Sequence, residues 1–125
     1  MENLKKLPDA EFEVMKVVWA NEPPITTPEI MKLLGTEKNW KIQSLVSFMV
    51  RLVEKGFLRS EKHGKERTYY PTVSITEYRK FETENVVKQF HDSSFLSLVT
   101  TLYEDEALTD KDIDELLQWA KERRG

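Results

Sequence analysis

The chain has 125 residues, of which 33% are charged and 39% hydrophobic, and its formal net charge is −3. These proportions are typical of a soluble protein with one domain, or with one domain and a helical appendage. The absence of cysteine excludes disulfides, thiol nucleophiles and cysteine-ligated metal centres. No apolar run approaches the roughly 20 residues that span a bilayer, and nothing resembles a signal peptide. We therefore expect a cytoplasmic protein without membrane insertion.

The first predicted helix runs from Asp9, its expected N-cap, to about Ala20, with Glu11 in the first turn. Its apolar side chains recur at helical spacing and predict one buried face: Phe12, Val14, Met15, Val18 and Trp19.

A second, short helix is predicted to begin with Thr27 as its cap and Pro28 as its first helical residue. Gly35 is expected to end it. Its predicted buried side chains are Ile30, Leu33 and Leu34.

The third predicted helix extends from near Lys41 to Lys55, with Gly56 as its C-cap. At about 100° per residue, its apolar side chains occupy one half of the helix; they are Ile42, Leu45, Val46, Met49, Val50, Leu52 and Val53. Polar side chains occupy the other half, together with Phe48 and the preceding Trp40.

Alternating patterns after Gly56 predict two strands, residues 57–62 and 66–71, joined by the loop His63-Gly64-Lys65. The order of helix, short helix, long helix and hairpin is that of a winged helix-turn-helix. We therefore predict a mainly α fold with a small β-hairpin, whose winged-helix domain covers residues 1–73.

Residues 74–125 are predicted to be purely helical and to form a dimerisation domain. Ser74 or Thr76 can cap a helix that ends near His91, and Thr109 with Asp112 resembles a capping box. Three short amphipathic helices cannot close a large core alone, so a second copy of the chain is the simplest partner. The predicted dimerisation residues are Phe95, Leu98, Val99, Leu102, Ile113, Leu116 and Leu117.

Charge is unevenly distributed: residues 38–67 hold eight basic and three acidic side chains, a surplus of five positive charges. Such a basic region in a winged helix favours double-stranded DNA as the partner. Gln can pair with adenine, Lys with guanine and Ser with several base edges, whereas Arg51 is better placed for phosphate. The predicted DNA-binding residues are Lys41, Gln43, Ser44, Ser47, Arg51, Lys62, Lys65 and Arg67.

Nothing in the sequence favours an enzyme, and we predict no catalytic residue, metal site or cofactor. The two histidines, His63 and His91, share no spacing that would bring them together, and the four glycines form no phosphate-binding loop. Two alternatives share the same fold. One is a ligand-sensing regulator whose pocket is lined by Tyr78, Phe81 and Phe90, and the other is a protein-interaction module without DNA.

Five segments resemble a known family, the penicillinase and methicillin-resistance repressors (BlaI/MecI). Residues 10–19 (AEFEVMKVVW) resemble the family's first helix, and residues 51–58 (RLVEKGFL) its exit from the recognition helix. Tyr69-Tyr70-Pro71 resembles the close of the wing. Residues 95–99 and 113–116 are similar to the dimerisation region, so the likeness extends in consistent order from about Asp9 to Leu117.

The resemblance implies a homodimer that binds a palindromic operator and represses resistance genes. It also implies derepression through a membrane sensor of β-lactams, with proteolysis in the dimerisation region. The family's Asn-Phe cleavage pair corresponds to Thr101-Leu102 here, and the recognition helix departs from the family at Lys41-Ile42 and Val46. The related copper-responsive branch carries a Cys-x-Cys site, which this cysteine-free chain lacks.

Overall fold

The computed structural model describes residues 4–125, with the backbone alone at residues 35 and 36. The chain divides into two compact units, the N-terminal unit Met1–Phe81 and the C-terminal unit Glu82–Gly125. The elements in chain order are α1 (Asp9–Ala20), β1 (Ile25–Thr26), α2 (Thr27–Ile30), a π-helical turn (Met31–Gly35), α3 (Thr36–Lys38), α4 (Ile42–Glu54), β2 (Leu58–His63), β3 (Glu66–Pro71), α5 (Ile75–Phe90), α6 (Phe95–Glu104) and α7 (Asp110–Arg124). This order confirms the predicted winged helix-turn-helix and the helical C-terminal region.

Helix α1 has the predicted length, but Asp9 is its first helical residue rather than its cap. Pro8 is the N-cap and makes no side-chain capping bond; its carbonyl accepts the Phe12 N–H at 2.9 Å. Asp9 instead lies in the first turn, where a carboxylate is favoured by the helix dipole. Glu11 lies in the first turn as predicted, and its side chain is buried.

The second helix begins one residue earlier than predicted, because Thr26 and not Thr27 is its cap. The Thr26 hydroxyl accepts the Glu29 N–H at 3.3 Å, and the Glu29 carboxylate accepts the Thr26 N–H at 3.0 Å. The helical run continues through the π turn and α3 to Lys38 instead of ending at Gly35. Ile30 and Leu34 are buried in the core, whereas Leu33, which lies in the π turn and was predicted to be buried, is 53% exposed.

Helix α4 ends as predicted. Gly56 has a positive φ of 81°, its N–H binds the Val53 carbonyl, and the Phe57 N–H binds the Leu52 carbonyl. This pair of bonds is a Schellman motif, which needs a residue in the left-handed region after the helix. The helix is thereby closed and the chain turned directly into β2.

The predicted apolar half of α4 is only partly buried. The core covers a narrow arc that holds Leu45, Met49 and Leu52, all 0% exposed. Phe48 and Trp40, predicted among the polar positions, pack edge to face at 5.0 Å and are half-buried beside that arc. The remaining aliphatic side chains of the helix face solvent: Ile42, Val46, Val50 and Val53.

The sheet has three antiparallel strands in the order β1-β3-β2. Strands β2 and β3 form the wing, and Ser60 lies opposite Tyr69 in their register. The turn is shorter than predicted, because His63 pairs with Glu66 and leaves only Gly64 and Lys65 between the strands. Strand β1, which the sequence did not predict, pairs Ile25 with Tyr69 and joins the wing to the start of α2.

The N-terminal unit has a continuous core formed by α1, the second helical run, α4, the sheet and the start of α5. Its fully buried side chains include Met15, Ile30, Leu45, Met49 and Phe57. An aromatic group adds to it, in which the Tyr78 ring lies 5.5–6.0 Å from four other rings: Phe12, Trp19, Phe57 and Phe81.

The last three helices are well capped, but the C-terminal unit buries little surface. Ser74 is the cap at the start of α5, since its hydroxyl accepts the Glu77 N–H at 3.0 Å. Ser94 caps α6, and Thr109 forms the predicted capping box with Asp112 on α7. Neither α6 nor α7 contains a buried residue. Across residues 4–125, no helix is both long enough and apolar enough to span a bilayer.

Candidate nucleic-acid interface

The outward face of α4 carries the predicted base-reading side chains. Lys41 is the N-cap residue, and Gln43, Ser44 and Ser47 follow it in the first two turns, all exposed. The Ser47 hydroxyl donates to the Gln43 carbonyl at 3.1 Å and still has lone pairs that can accept. The N-terminal half of α4 therefore presents donors and acceptors, as base readout in a major groove requires.

Arg51 lies further along α4, beside two lysines that the sequence analysis did not select. A cleft of about 500 Å³ is lined by Lys5, Arg51, Glu54 and Lys55. Lys5 is held near this cleft because Leu7 is buried and its N–H donates to the Tyr78 hydroxyl at 2.8 Å. Such a long-range bond leaves no local sequence pattern. The sequence does show Leu4 and Leu7 on either side of Lys5 and Lys6. These two leucines could have predicted that the segment packs against the core.

Lys55 also has a structural role. Its ammonium group pairs with the carboxylate of Glu11, whose side chain is 3% exposed, whereas the Lys55 side chain is 29% exposed. The pair links the end of α4 to the first turn of α1. The end of α4 is thus tied to α1 by a charge pair at the edge of the core.

The wing has two chemically different faces. Lys62 lies directly opposite Arg67 in the strand register, so these two cations share one face. The Arg67 guanidinium donates to Ser60 at 3.0 Å on that face. Lys65, in the turn, and Arg67 also line a cleft of about 590 Å³ with the start of α2. The three predicted wing residues are therefore exposed: Lys62 lies opposite Arg67, and Arg67 shares with Lys65 a cleft different from that of Arg51.

Arg59, Glu61 and His63 alternate with those cations and lie on the opposite face of the wing. The Arg59 guanidinium pairs with Glu61 and lies 4.2 Å from the centre of the Tyr70 ring. The hydrogen bond from Arg59, with the charge of Arg59 and a second bond from His63, lowers the pKa of Glu61 below its usual value. Arg59 is thus occupied within the protein, unlike Lys62 and Lys65.

The predicted dimerisation residues are largely exposed in the single chain. Phe95 is 66%, Leu117 64%, Leu116 42% and Leu102 37% exposed, and Leu98, Val99 and Ile113 are half-buried. An apolar cleft of about 300 Å³ lies between α6 and α7, beside the bond that the Tyr103 hydroxyl donates to Asp110 at 2.8 Å. That bond raises the pKa of Tyr103.

Thr101 and Leu102, the pair aligned with the family's cleavage point, lie inside α6. The Thr101 carbonyl accepts the Asp105 N–H at 3.2 Å, and both side chains are exposed. A protease would have to unwind the last turn of α6 to reach this peptide bond in an extended conformation.

The residues expected to line an effector pocket do not do so together. Tyr78 is 2% exposed and is packed among the core aromatic rings, so it has no space for a ligand. Phe90 is 74% exposed. Among the described residues, no group of three or more His, Asp or Glu side chains is placed to hold a metal ion.

The helix-turn-helix, the antiparallel wing and the exposed polar face of α4 define a winged-helix protein. The sequence profile of the penicillinase repressor family matches residues 7–122. The chain therefore belongs to the penicillinase repressor family, a family of transcriptional repressors and not of enzymes, as the sequence motifs had indicated.

Individual relatives agree with this assignment. The chain is 29% identical to the penicillinase repressor of Bacillus licheniformis over 124 residues, which cover 99% of this chain and 96% of that protein. It is 27% identical to the methicillin resistance regulatory protein MecI of Staphylococcus aureus (strain N315) over 111 residues, 89% of each protein.

Two solved structures are similar to part of the chain. One is the solution structure of the DNA-binding domain of the repressor BlaI, with 34% sequence identity and a TM-score of 0.53. The match covers 58% of this chain and 88% of the BlaI chain. Monomeric BlaI of Bacillus licheniformis in complex with the blaP half-operator gives 34% identity and a TM-score of 0.51, with coverage of 59% and 89%.

Proposed function

We propose that this chain is a homodimeric transcriptional repressor that binds a palindromic operator in double-stranded DNA, in a β-lactam-resistance or related system. Residues 1–73 read the operator, and residues 74–125 join two chains and set the spacing of the half-sites. The observation that carries the proposal is the exposed polar face of α4 beside a cationic wing, in a chain of the penicillinase repressor family.

Within that interface the residues divide by chemistry. Lys41, Gln43, Ser44 and Ser47 contact base edges in the major groove, where donor and acceptor patterns distinguish all four base pairs. Arg51 binds backbone phosphate, assisted by Lys5 of the same cleft. Lys62, Lys65 and Arg67 bind phosphate from the wing. The complex of BlaI, which has a similar fold, with the blaP half-operator supports operator DNA as the partner.

Dimerisation rests on the exposure of the C-terminal helices. Side chains as large as Phe95 and Leu117 remain exposed, and α6 and α7 bury no residue within one chain. A second copy of the chain removes this apolar surface from water, at roughly 25 cal/mol per Å². Two copies related by a twofold axis then read a palindrome.

The DNA proposal is tested by fluorescence anisotropy with the full chain. An operator is first selected from a random duplex library and then compared with a scrambled duplex at two salt concentrations. We expect binding to the operator to be tighter by about 10³ or more, with a steep salt dependence. Equal binding to both duplexes would contradict sequence-specific repression.

Charge-reversal variants locate the DNA-binding surface. Lys62→Glu with Lys65→Glu should weaken operator binding at least tenfold and reduce the salt slope by about one unit for each phosphate that is no longer neutralised. Lys121→Glu, an exposed lysine of α7, is the matched control and should change neither quantity. If the wing variant and the control bind alike, the wing does not contact DNA.

Induction by proteolysis at Thr101-Leu102, through a membrane sensor protease, is a further part of the proposal and rests on the family resemblance. Its test is mass spectrometry of the chain recovered from its host before and after β-lactam treatment. A fragment that ends at Thr101, absent when Thr101 and Leu102 are replaced by proline and aspartate, supports cleavage there. An intact chain in derepressed cells would contradict it.

A further inference from the structure

Two valines on the outward face of α4 have no role in the core or in the contacts assigned above. Val46 is 46% and Val50 52% exposed, although the hydrophobic pattern predicted both to be buried. A β-branched residue is a poorer helix former than the common polar residues, and a solvent-facing valine gains no burial in return. The presence of valine at these two positions is therefore explained better by contact with a ligand than by the stability of the fold.

Their position around the helix decides what that ligand is. At about 100° per residue, Val50 lies about 20° and Val46 about 60° from Gln43, and Ser47 lies about 40° away on the other side. The four side chains thus share one arc of about 100°, and Leu45, at the centre of the buried face, points away from it. A surface that covers the whole of this arc contacts Gln43, Ser47 and the two valines together.

In the major groove only one base presents an apolar group, the C5-methyl of thymine. Residues 43 and 46 are separated by a rise of about 4.5 Å along the helix, close to the 3.4 Å spacing of stacked base pairs, so they reach the same or adjacent pairs. Gln is the side chain that pairs with adenine, the partner of thymine. The cations Arg51 and Lys41 on the same helix match a polyanionic partner.

We propose that Val46 and Val50 are specificity-determining residues that contact thymine methyl groups, and that Gln43 and Val46 together select A·T pairs in each half-site. This inference rests on the proposed function, because it needs α4 in the major groove. It adds a base composition: each half-site contains A·T pairs whose thymine methyls face α4.

Replacement of thymine by deoxyuridine tests the inference, because it removes one methyl group and leaves base pairing intact. Each thymine of the selected operator is replaced singly, and the affinity of the full chain is measured by anisotropy. We expect at least one thymine in each half-site to show about a fourfold loss, the factor expected for one buried methyl. Thymines in the flanks are the internal control.

Variants connect that loss to the proposed residues. Val46→Ala should bind the thymine and deoxyuridine operators with equal affinity at the sensitive position, because the methyl then has no partner. The side chain is exposed, so this change leaves the core intact. Val46→Thr retains a γ-methyl and should retain part of the preference. Val50→Ala is expected to abolish the preference at a second position, one or two base pairs away.

The outcomes separate the inference from the proposed function. An operator bound equally well with and without its thymine methyls would overturn the inference while DNA binding stands. A methyl preference that persists in both Val46→Ala and Val50→Ala would also overturn it. If no duplex is selected at all, both proposals fail, and the exposed valines belong to an interface with another protein.

Discussion

Phe57 and Phe95 are the same side chain in opposite surroundings. Phe57, in the N-terminal unit, is fully buried among core residues, whereas Phe95, in the C-terminal unit, is 66% exposed at the start of α6. The same contrast holds for whole helices, since α4 buries three side chains completely and neither α6 nor α7 buries any. The N-terminal unit has a closed hydrophobic core, whereas the C-terminal unit leaves large apolar side chains exposed.

The largest expected effect comes from matched truncation of these two side chains. Phe57→Ala should destabilise the N-terminal unit by about 3–5 kcal/mol, because it leaves a cavity in a closed core. Phe95→Ala should change the stability of the isolated chain by no more than about 0.5 kcal/mol. Hydrogen exchange of the amides in each unit, measured at increasing urea concentration, gives the stability that each variant loses. Equal losses in Phe57→Ala and Phe95→Ala would contradict the difference between the two units.

The second prediction concerns association. Leu117→Asp places a carboxylate on an exposed apolar face and should convert the chain to a monomer, with operator affinity reduced about 100-fold or more through loss of bivalent binding. Leu33→Asp, at an exposed leucine of the N-terminal unit, is the control and should leave self-association unchanged. Sedimentation equilibrium gives the stoichiometry; a dimeric Leu117→Asp chain would exclude α7 from the interface.

The third prediction uses the charge pair at the edge of the N-terminal core. Lys55→Met leaves the Glu11 carboxylate buried without its cation and should cost about 1–3 kcal/mol, less than a fully buried pair because Lys55 is partly solvated. Lys38→Met, at a looser surface pair with Glu13 at 3.9 Å, should cost no more than about 0.5 kcal/mol. The double variant Glu11→Gln with Lys55→Met should recover part of the stability lost in Lys55→Met, because the buried carboxylate is then gone. If it recovers none, the loss does not come from an unpaired Glu11.

The fourth prediction compares the two capping boxes. Thr26→Ala removes a cap that is buried and also lies in the sheet, so it should cost about 1–2 kcal/mol. Thr109→Ala removes an exposed cap of α7 and should cost about 0.5–1 kcal/mol. Thermal unfolding followed by circular dichroism ranks the two variants, and the reverse order would contradict the assignment of the stronger core to the N-terminal unit.

The smallest expected effects are those of pH on stability, and they involve a different group in each unit. The pKa of Glu61 is lowered in the folded wing, so its stabilising contribution is present above the unfolded pKa and is lost as pH falls through the folded pKa. The pKa of Tyr103 is raised, so the contribution of its bond to Asp110 is present below the unfolded pKa and is lost as pH rises through the folded pKa.

NMR titration checks this separation. Acid should perturb signals of the wing, and alkali should perturb signals of the contact between α6 and α7. Glu61→Gln and Tyr103→Phe should each remove one of the two responses and leave the other intact. A wing signal that still titrates near Glu61 in the Glu61→Gln variant would show that another group is responsible.

Local chemistry made much of the fold predictable. Helix α4 with its glycine stop, the hairpin and the Thr109 capping box each depend on residues a few positions apart. Strand β1 could not be predicted, because two residues form a strand only by pairing with Tyr69 and Thr68 more than 40 positions away. The π turn likewise was not predicted, and of the two leucines predicted to be buried in the second helix only Leu34 is buried.

The candidate site was less predictable for a related reason. A helical wheel shows where apolar side chains lie, but not how wide an arc the neighbouring elements cover, so it placed Val46 and Val50 in the core. Lys5 depends on the bond between Leu7 and Tyr78, which joins residues 71 positions apart. The DNA-binding residues chosen from the sequence are exposed, and their contacts with DNA stay a prediction.

The difference between the two faces of the wing affects how a repressor finds its operator in a genome. Arg59 is paired within the protein with Glu61 and stacks on the Tyr70 ring, so its charge is partly compensated although its side chain is 52% exposed. Sequence-independent affinity comes from such cations, and about 10⁶–10⁹ non-specific sites compete for each molecule. We expect an internal counter-ion to shorten the time spent on those sites, so that the proposed base contacts of α4 supply more of the discrimination.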